Sequence, residues 1–469
     1  GSRRGRTHDH CHASPEHPAG RAPRAGGLNF DYQEALRYIA STGRFGIKLG
    51  LDRTRALLDA VGAPDLGLRG VLVAGTNGKG STCAFVSAVL RQAGLRAAAM
   101  PKPHLVSYTE RVTIDGAPIS EADFASAVTA MIPAIDRVSA AHGPPTEFEI
   151  LTVLALRHTR DRGIDLLVCE VGMGGRLDAT NVTDLGVKVI TGIDLDHMRY
   201  LGTTIPEIAA EKAGIIGDGD LVVCGRLEPG ALAVVEQRCR REGATLWLAG
   251  REFDTEAATS DWDGIRFDFR AAPGTRFRSL SGLTGAMLGH HQVANAGLAV
   301  AAVQAMVLRH RLRVDDAALR GGIAAARWPG RLEPIPGHPT VLIDGGHNPA
   351  AITAVVAALR QLAPSRTPVL LFGAMADKDV PAMLDQLPVD WPAVFSAVAE
   401  ARAIPARELL ALAAARGRTS DVACPSVEAG LAEARSRAGA EGTVLVVGSL
   451  YLAGDVRRRL TENSPIFGK

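Results

Sequence analysis

The chain is poor in aromatic side chains, and its positive and negative charges nearly cancel. Aromatic residues make up 4% of its 469 residues, so we expect a core built from Ala, Val, Leu and Ile. The formal net charge is +2, and five of the 52 basic residues lie within residues 1–26. A basic stripe or patch is the electrostatic footprint of nucleic-acid binding, and the sequence has none. We therefore expect no nucleic-acid partner.

Cysteines and long apolar runs are also scarce. The six cysteines are scattered and form no Cys-x-x-Cys pair, which is typical of reduced thiols in a cytosolic protein. No continuous apolar run reaches the roughly 18 residues of a membrane span. The first residues do not show the charged–apolar–small pattern of a signal peptide. These features predict a cytoplasmic protein with no membrane partner, and we expect a monomer.

Residues 1–27 have no apolar periodicity, and we predict that they form a disordered tail. This segment contains His8, His10, Cys11 and His12, which could bind a metal ion adventitiously. A plain flexible tail is the simpler interpretation.

From Phe30 onward, continuous apolar segments alternate with amphipathic ones, which predicts an α/β fold with a parallel sheet. The length predicts two or three domains. We expect a P-loop-type parallel-sheet ATPase domain over 28–325 and a smaller Rossmann-like α/β domain over 326–469. Tryptophan, proline and glycine within 326–331 indicate the hinge. Strands are predicted at 70–76, 164–172, 186–193, 220–225, 340–346, 367–375, 391–398 and 442–449.

The segment "VLVAGTNGKGST" joins a buried strand to a helix through a glycine-rich turn that contains Lys79. Such a turn can hold polyphosphate on backbone N–H groups and a helix N-terminus. The strict pattern GxxxxGK[ST] is broken twice, by Val73 at the first glycine position and by Gly80 after the lysine. The pattern alone therefore leaves nucleotide binding and an ordinary strand–helix turn both open.

Polar side chains follow two further predicted strands. Glu170 ends one of them, and Asp196 and His197 come just after another. The carboxyl ends of parallel strands form the edge at which α/β proteins bind ligands, and carboxylate oxygens suit magnesium. Alternatively, Glu170 is an ion-paired strand end and His197 is structural. Lys212 lies on a helix with two glutamates, where a solvated face is the simpler interpretation.

Four more candidates lie towards the C-terminus. "WPGRLE" contributes Arg331, and "VLIDGGHNPAA" repeats the order strand, glycine turn and helix start with Asp344 and His347. Asp344 could accept hydrogen bonds from ribose hydroxyls, and Asn295 lies on a helix late in the first domain.

Taken together, the blocks resemble one known family. "RFGIKLGL", "GTNGKGS", "PHLVSYTERV", "FEILT", "EVGMGGRLDATN", "EKAGII", "WPGRLE" and "DGGHNP" occur in the order and spacing of the folylpolyglutamate synthase and dihydrofolate synthase family of Mur-type amide ligases. The resemblance covers roughly residues 30–455. It implies that ATP phosphorylates a carboxylic acid and that an amine, classically that of glutamate, attacks the acyl phosphate. It also implies ATP and Mg²⁺ as cofactors, with a small-molecule acid and an amino acid as partners.

The resemblance assigns roles to individual residues. The implied ATP contacts are Thr76, Asn77, Gly78, Lys79, Gly80, Ser81, Asn295, Arg331, Asp344 and His347. The implied metal ligands are Ser81, Glu170, His197 and, if it is carbamylated, Lys212. The implied acid-binding residues are Thr146, Glu147, Phe148, Glu149, Leu177, Asp178 and Ala179, and Phe148 could stack on a pterin ring. The implied catalytic residues are Lys79, His197 and Lys212, and we expect Lys102, which departs from the family pattern, to act with them.

The chain departs from the family pattern at several positions. Lys102, held between two prolines, stands where the family usually has a serine that binds magnesium, and a protonated lysine cannot do so. We expect its ammonium to replace part of a magnesium ion's charge beside the γ-phosphate or to contact the acid; the alternative is a lysine facing solvent. Asp194 and Met198 replace the usual Gly and Thr. Two other functions stay open: a ligase for a non-folate acid, and a non-catalytic nucleotide-binding homologue.

Overall fold

The computed structural model describes residues 29–43, 48–364 and 366–461. The predicted tail at 1–27, with its histidines and Cys11, lies outside these ranges, as does part of the "FGIKLGL" block. Within them, the strands form sheets of eight, three and six strands. The predicted α/β fold class is confirmed. The domain bounds stay a prediction, although the third sheet begins at residue 333, just beyond the predicted hinge.

The eight-stranded sheet positions the candidate site. Its order is β4-β3-β2-β5-β1-β6-β7-β8; β3 and β4 are antiparallel additions at one edge, and the remaining strands run parallel. The carboxyl ends of β1, β5 and β6 therefore lie side by side. The strands are β1 (Arg69–Ala74), β2 (Ala98–Met100), β3 (Thr113–Ile114), β4 (Ala117–Pro118), β5 (Leu166–Glu170), β6 (Gly186–Ile190), β7 (Leu221–Cys224) and β8 (Thr245–Leu248).

Helices cover both faces of this sheet, which explains why its strands are apolar without interruption. Alternate residues of β1 enter different cores: Val71 and Val73 pack on the face of α3 (Lys79–Gln92) and α9 (His291–His310), whereas Leu72 and Ala74 pack on the face of α4 (Glu121–His142) and α5 (Glu147–Asp161). The helices before the hinge are α1 (Tyr32–Gly43), α2 (Asp52–Ala60), α3 (Lys79–Gln92), α4 (Glu121–His142), α5 (Glu147–Asp161), α6 (Met198–Leu201), α7 (Ile205–Ala213), α8 (Pro229–Arg241), α9 (His291–His310) and α10 (Asp316–Ala325).

Helix α9 is long and rich in apolar residues. Among the described residues it is the one helix long and apolar enough to cross a membrane by length and composition. Most of it is buried inside the protein, where its alanines and valines belong to the core beneath β1 and β6. This is the pattern of a core helix in a folded domain.

A small antiparallel sheet and the six-stranded sheet complete the chain. The small sheet, β9 (Phe253–Asp261), β10 (Gly264–Ala271) and β11 (Leu280–Gly285), has β10 at its centre. The last sheet has the order β12-β13-β17-β14-β15-β16, with β12 antiparallel to the rest. Its strands are β12 (Glu333–Ile335), β13 (Thr340–Ile343), β14 (Val369–Phe372), β15 (Ala393–Ser396), β16 (Val422–Cys424) and β17 (Thr443–Val447). Its helices are α11 (Pro349–Leu362), α12 (Val380–Asp385), α13 (Ala406–Ala414), α14 (Val427–Ala438) and α15 (Leu450–Thr461).

The turn between β9 and β10 contacts the C-terminal part of the chain. Trp262 donates a hydrogen bond from Nε1 to the carbonyl of Leu362 (2.7 Å), and Gln361 donates to the carbonyl of Ser260 (3.1 Å). These contacts hold α11 against the first part of the chain, so that the loop before α11 faces the loop before α3.

Candidate active site

The loop after β1 is shaped to receive an anion. Gly78 has a positive φ of 86°, and a Cβ there would clash with the Asn295 side chain, so only glycine suits the position. Helix α3 begins at the next residue, Lys79, and presents its unpaired N–H groups to the cavity in front of it. This strand–turn–helix geometry favours phosphate binding over an ordinary turn.

Two buried lysines meet at this loop. Lys79 donates from Nζ to the carbonyls of Gly75 and Thr76 (both 3.0 Å), and Lys212 on α7 donates to the same Gly75 carbonyl (2.9 Å). Burial lowers the pKa of Lys79, and the charges of Glu170 and Asp196 oppose that change. Burial, together with the charge of Lys79, lowers the pKa of Lys212 to about 7. Lys212 is therefore not on a solvated helix face, and much of it is uncharged at neutral pH.

A cavity of about 1090 Å³ opens in front of the loop and is lined from both sides of the hinge. It brings together almost all of the site residues predicted from the sequence, while Lys212 lies buried behind the loop. The predicted residues that line it are Thr76, Asn77, Gly78, Lys79, Gly80, Ser81, Lys102, Thr146, Glu147, Phe148, Glu149, Glu170, Leu177, Asp178, Ala179, His197, Asn295, Arg331, Asp344 and His347.

Glu170 lies between positive charges at the bottom of the cavity. Its carboxylate is buried and accepts a hydrogen bond from the backbone N–H of Lys102 (2.9 Å). Burial raises the pKa of Glu170, and the nearby charges of Lys79 and Arg331 oppose the rise. A buried carboxylate that opens to a ligand cavity can accept a metal ion as well as an ion pair.

His197 has a left-handed backbone (φ 50°) at the start of α6, at the carboxyl edge of the sheet. Burial lowers the pKa of His197 to about 4, so the ring is neutral at physiological pH and able to bind a metal. No cluster of three His, Cys, Asp or Glu side chains suited to a metal occurs in the described ranges. Magnesium typically keeps waters and substrate phosphates beside one or two protein ligands; of the predicted ligands at the cavity, Ser81 and Glu170 offer oxygen atoms, and the His197 ring is a third candidate. The metal assignment stays a prediction.

Two polar contacts cross the hinge at the edge of the cavity. Asn348 donates to the side-chain oxygen of Asn77 (3.1 Å), and Lys378 lies 3.5 Å from a carboxylate oxygen of Asp196. Although burial raises the pKa of Asp196, the charges of Lys378 and two histidines outweigh that effect and lower it to about 2. The C-terminal part of the chain thus contributes charged and polar groups directly beside the phosphate-binding loop.

The loop after β13 also reaches the cavity, but its polar groups are partly occupied. Asp344 accepts hydrogen bonds from the backbone N–H groups of Leu332 (2.9 Å) and Gly346 (2.6 Å), one on each carboxylate oxygen. His347 pairs through Nδ1 with the carbonyl of Gly345 (2.8 Å). Asp344 therefore stabilises the loop to which it belongs. Each of its carboxylate oxygens can accept one further hydrogen bond, which the predicted ribose contact would use.

The predicted acid-binding residues form another wall of the cavity. Thr146 and Glu149 cap α5 reciprocally, and Glu149 also pairs with Arg53 (2.9 Å). Asp178 accepts hydrogen bonds from the N–H groups of Met173 and Thr180. These polar groups hold the wall in shape, and Phe148 presents its ring to the cavity.

Lys102 points into the cavity. Its Nζ lies 4.3 Å from the centre of the Phe148 ring and is shielded from solvent. The interpretation of a lysine facing solvent is therefore wrong. Burial lowers the pKa of Lys102, and the Asp178 and Glu170 carboxylates oppose that change.

Several residues outside the predicted set also belong to the site: Arg111, Tyr200 and His291 line the cavity, and Lys378 contacts Asp196 at its edge. Lys378 lies in a charged loop just after a buried strand, and that position was the available signal. Its contact with Asp196 spans 182 residues of sequence, which no local pattern could reveal.

Comparisons with known proteins agree with this geometry. Residues 73–303 match the Mur ligase middle domain, and residues 330–450 match the Mur ligase, glutamate ligase domain. The chain is 34% identical over 435 residues to a dihydrofolate synthase/folylpolyglutamate synthase of Bacillus subtilis, covering 92% of this chain and 99% of that one. It is 36% identical over 446 residues to the Mycobacterium tuberculosis enzyme of the same name, covering 87% and 89% of the two chains.

Solved structures give the same result. The folylpolyglutamate synthase of M. tuberculosis complexed with ADP and AMPPCP matches with a TM-score of 0.85 at 32% identity, covering 92% of this chain and 99% of that one. An Escherichia coli structure in complex with DHPP and ADP matches with a TM-score of 0.81 at 30% identity, covering 94% and 99%. The chain therefore belongs to the folylpolyglutamate and dihydrofolate synthases of the Mur ligase family, which are ATP-dependent enzymes that form carbon–nitrogen bonds.

Proposed function

We propose that this enzyme uses ATP to activate the carboxyl group of a pterin-linked acid, dihydropteroate or a folate, and couples it to glutamate. One observation carries the proposal: a single cavity contains a phosphate-binding loop, an aromatic wall at Phe148 and basic groups from beyond the hinge. Such a cavity can hold a nucleotide, a flat ring system and an anionic amino acid together.

The chemistry proceeds in two transfers. A carboxylate oxygen of the acid attacks the γ-phosphorus of ATP; the new O–P bond forms, the bond to the β–γ bridging oxygen breaks, and ADP leaves with that electron pair. The neutral amine then attacks the acyl carbon. Phosphate leaves with the C–O electron pair and the amine loses a proton, which gives the amide, ADP and phosphate.

The nucleotide side of the cavity would act through charge and position. The N–H groups at the start of α3 would bind the phosphates, and Lys79 would exchange its contacts to Gly75 and Thr76 for the γ-phosphate. Mg²⁺, held by Ser81, Glu170 and His197, would offset phosphate charge when bound. Asn295, Arg331, Asp344 and His347 would contact the rest of the nucleotide from both sides of the hinge.

The acid would lie against the α5 wall. The Phe148 ring offers a stacking surface for a pterin, and Leu177 and Ala179 provide apolar contact around it. Thr146, Glu147 and Asp178 offer backbone and residual side-chain acceptors to the ring edge.

We further propose that Lys212 is carbamylated. An uncharged amine attacks CO₂, and the pKa of about 7 makes that form available at neutral pH. The carbamate is anionic, so it would sit favourably near Lys79 and extend towards the cation at the phosphates.

The reaction is tested by incubating the enzyme with ATP, Mg²⁺, glutamate and a panel of acids that includes dihydropteroate, tetrahydrofolate and unrelated aryl carboxylates. We expect ADP release to depend on a pterin acid, with a product heavier by one glutamyl residue. If the enzyme turns over another acid and none of the pterin acids, the folate assignment is overturned and a specialised ligase is favoured. The position of Lys102 in the cavity is the reason for including unrelated acids in the panel. If no acid gives ADP release with glutamate, the alternative of a non-catalytic nucleotide-binding homologue is supported.

A further inference from the structure

Lys102 carries an ammonium group that the protein places in the cavity without a partner. Its Nζ is shielded from solvent, and it has no hydrogen-bond acceptor among the residues that the structure describes. An ammonium has three N–H donors, and leaving a buried charge unsatisfied costs free energy. A cation in this condition, at the wall of a ligand cavity, marks a place where an anion can bind.

The backbone around Lys102 is held firmly in position. Its own N–H donates to Glu170 (2.9 Å), and the next turn is fixed by Glu110, whose carboxylate accepts from the N–H groups of Leu105 (2.6 Å) and Ser107 (2.8 Å). The ammonium is thus placed by a rigid loop and not by chance rotation of a surface side chain.

The groups around Nζ leave its N–H donors available to a ligand. The Phe148 ring lies 4.3 Å away and offers only a cation–π contact. The two nearby carboxylates accept hydrogen bonds elsewhere: Asp178 from Met173 and Thr180, and Glu170 from the Lys102 backbone. Arg111 lines the same region and adds a second positive charge.

The position distinguishes Lys102 from Lys79. Lys79 lies on the phosphate-binding loop, where its Nζ donates to the carbonyls of Gly75 and Thr76, whereas the Nζ of Lys102 lies against the Phe148 ring of the acid-binding wall. The two lysines therefore have different surroundings, although Glu170 is near both.

We propose that Lys102 binds the reacting carboxylate of the acid substrate and keeps its contact when that group becomes an acyl phosphate. This inference rests on the proposed function. In the transfer step the carboxylate oxygen bonds to the γ-phosphorus as ADP leaves, so negative charge stays beside Lys102 throughout. A fixed cation there orients the attacking oxygen and stabilises the charge that spreads over the phosphoryl group.

The test compares Lys102→Met with the wild type. Methionine keeps the length and the contact with Phe148 but removes the charge. Titration of dihydropteroate into enzyme saturated with the β,γ-methylene analogue of ATP should show affinity lowered roughly ten- to a hundredfold. ADP affinity should be unchanged, and the melting temperature should not fall, because a buried unpaired charge has been removed.

Lys188→Met is the matched control, since Lys188 is also a buried lysine but pairs with Asp220 away from the cavity (3.8 Å). That variant should lose thermal stability and keep its affinity for dihydropteroate. If Lys102→Met binds dihydropteroate as tightly as the wild type and turns over at the wild-type rate, the inference is overturned. The proposed function would still stand.

If the wild type binds no pterin acid, the proposed substrate is wrong, and a second probe still decides the role of Lys102. Inorganic phosphate added to the ADP-bound enzyme imitates the transferred phosphoryl group. Weaker phosphate binding in Lys102→Met than in the wild type would support the contact, and equal binding would overturn it.

Discussion

Replacing Lys79 by methionine is expected to lower kcat/KM about a thousandfold while leaving the fold intact. The physical reason is that Lys79 is the buried cation at the phosphate-binding loop, where its Nζ donates to the Gly75 and Thr76 carbonyls (both 3.0 Å) and can move from them onto the γ-phosphate. Methionine fills the same space without the charge. Steady-state ADP release measures the loss.

The effect should concentrate on the γ-phosphate. ADP lacks that group, so Lys79→Met should bind ADP nearly as well as the wild type, whereas affinity for the β,γ-methylene analogue of ATP should fall. A variant that keeps wild-type turnover would contradict this role, and one that loses ADP binding and thermal stability together would show a structural role.

Replacing Lys212 by alanine is expected to lower turnover about a hundredfold, because the carbamate that helps to hold the cation at the phosphates can no longer form. Carbon-13 bicarbonate should give a carbamate resonance in the wild type that is absent in the variant. A small carboxylic acid such as formate can occupy the space left by the side chain and should restore part of the activity.

The modification should depend on pH in one direction. The pKa of Lys212 is lowered to about 7, so above that pH the free amine reacts with CO₂, and below it the ammonium does not. The carbamate signal should therefore decline as the pH falls through about 7. Lys188→Ala, which removes an ion-paired lysine, should leave the signal unchanged. Full wild-type activity without any carbamate would contradict the proposal.

The parallel sheets were predictable because their strands are buried on both faces. The predicted strand at 186–193 is β6 and that at 442–449 is β17, each shorter than its apolar run. The small sheet was not predicted, because β9 is largely polar and gains its strand geometry from pairing with β10. Local composition does not encode such a pairing.

The site was predictable where a motif ends a strand, as at Lys79 and Glu170. Sequence patterns could not show that both carboxylate oxygens of Asp344 accept hydrogen bonds from nearby backbone N–H groups. Nor could they show that the Lys102 side chain points into the cavity towards Phe148. Those properties depend on contacts between segments distant in sequence. The metal ligands, the oligomeric state and the cellular compartment stay predictions.

One measurement tests directly whether the enzyme activates the acid as an acyl phosphate. The acid is supplied with oxygen-18 in its carboxyl group, together with ATP and glutamate, and the inorganic phosphate released is analysed by mass spectrometry. Because the carboxylate oxygen that attacks the γ-phosphorus leaves with the phosphate, each turnover should transfer one labelled oxygen to phosphate. Phosphate free of label, or label recovered in AMP, would contradict this mechanism.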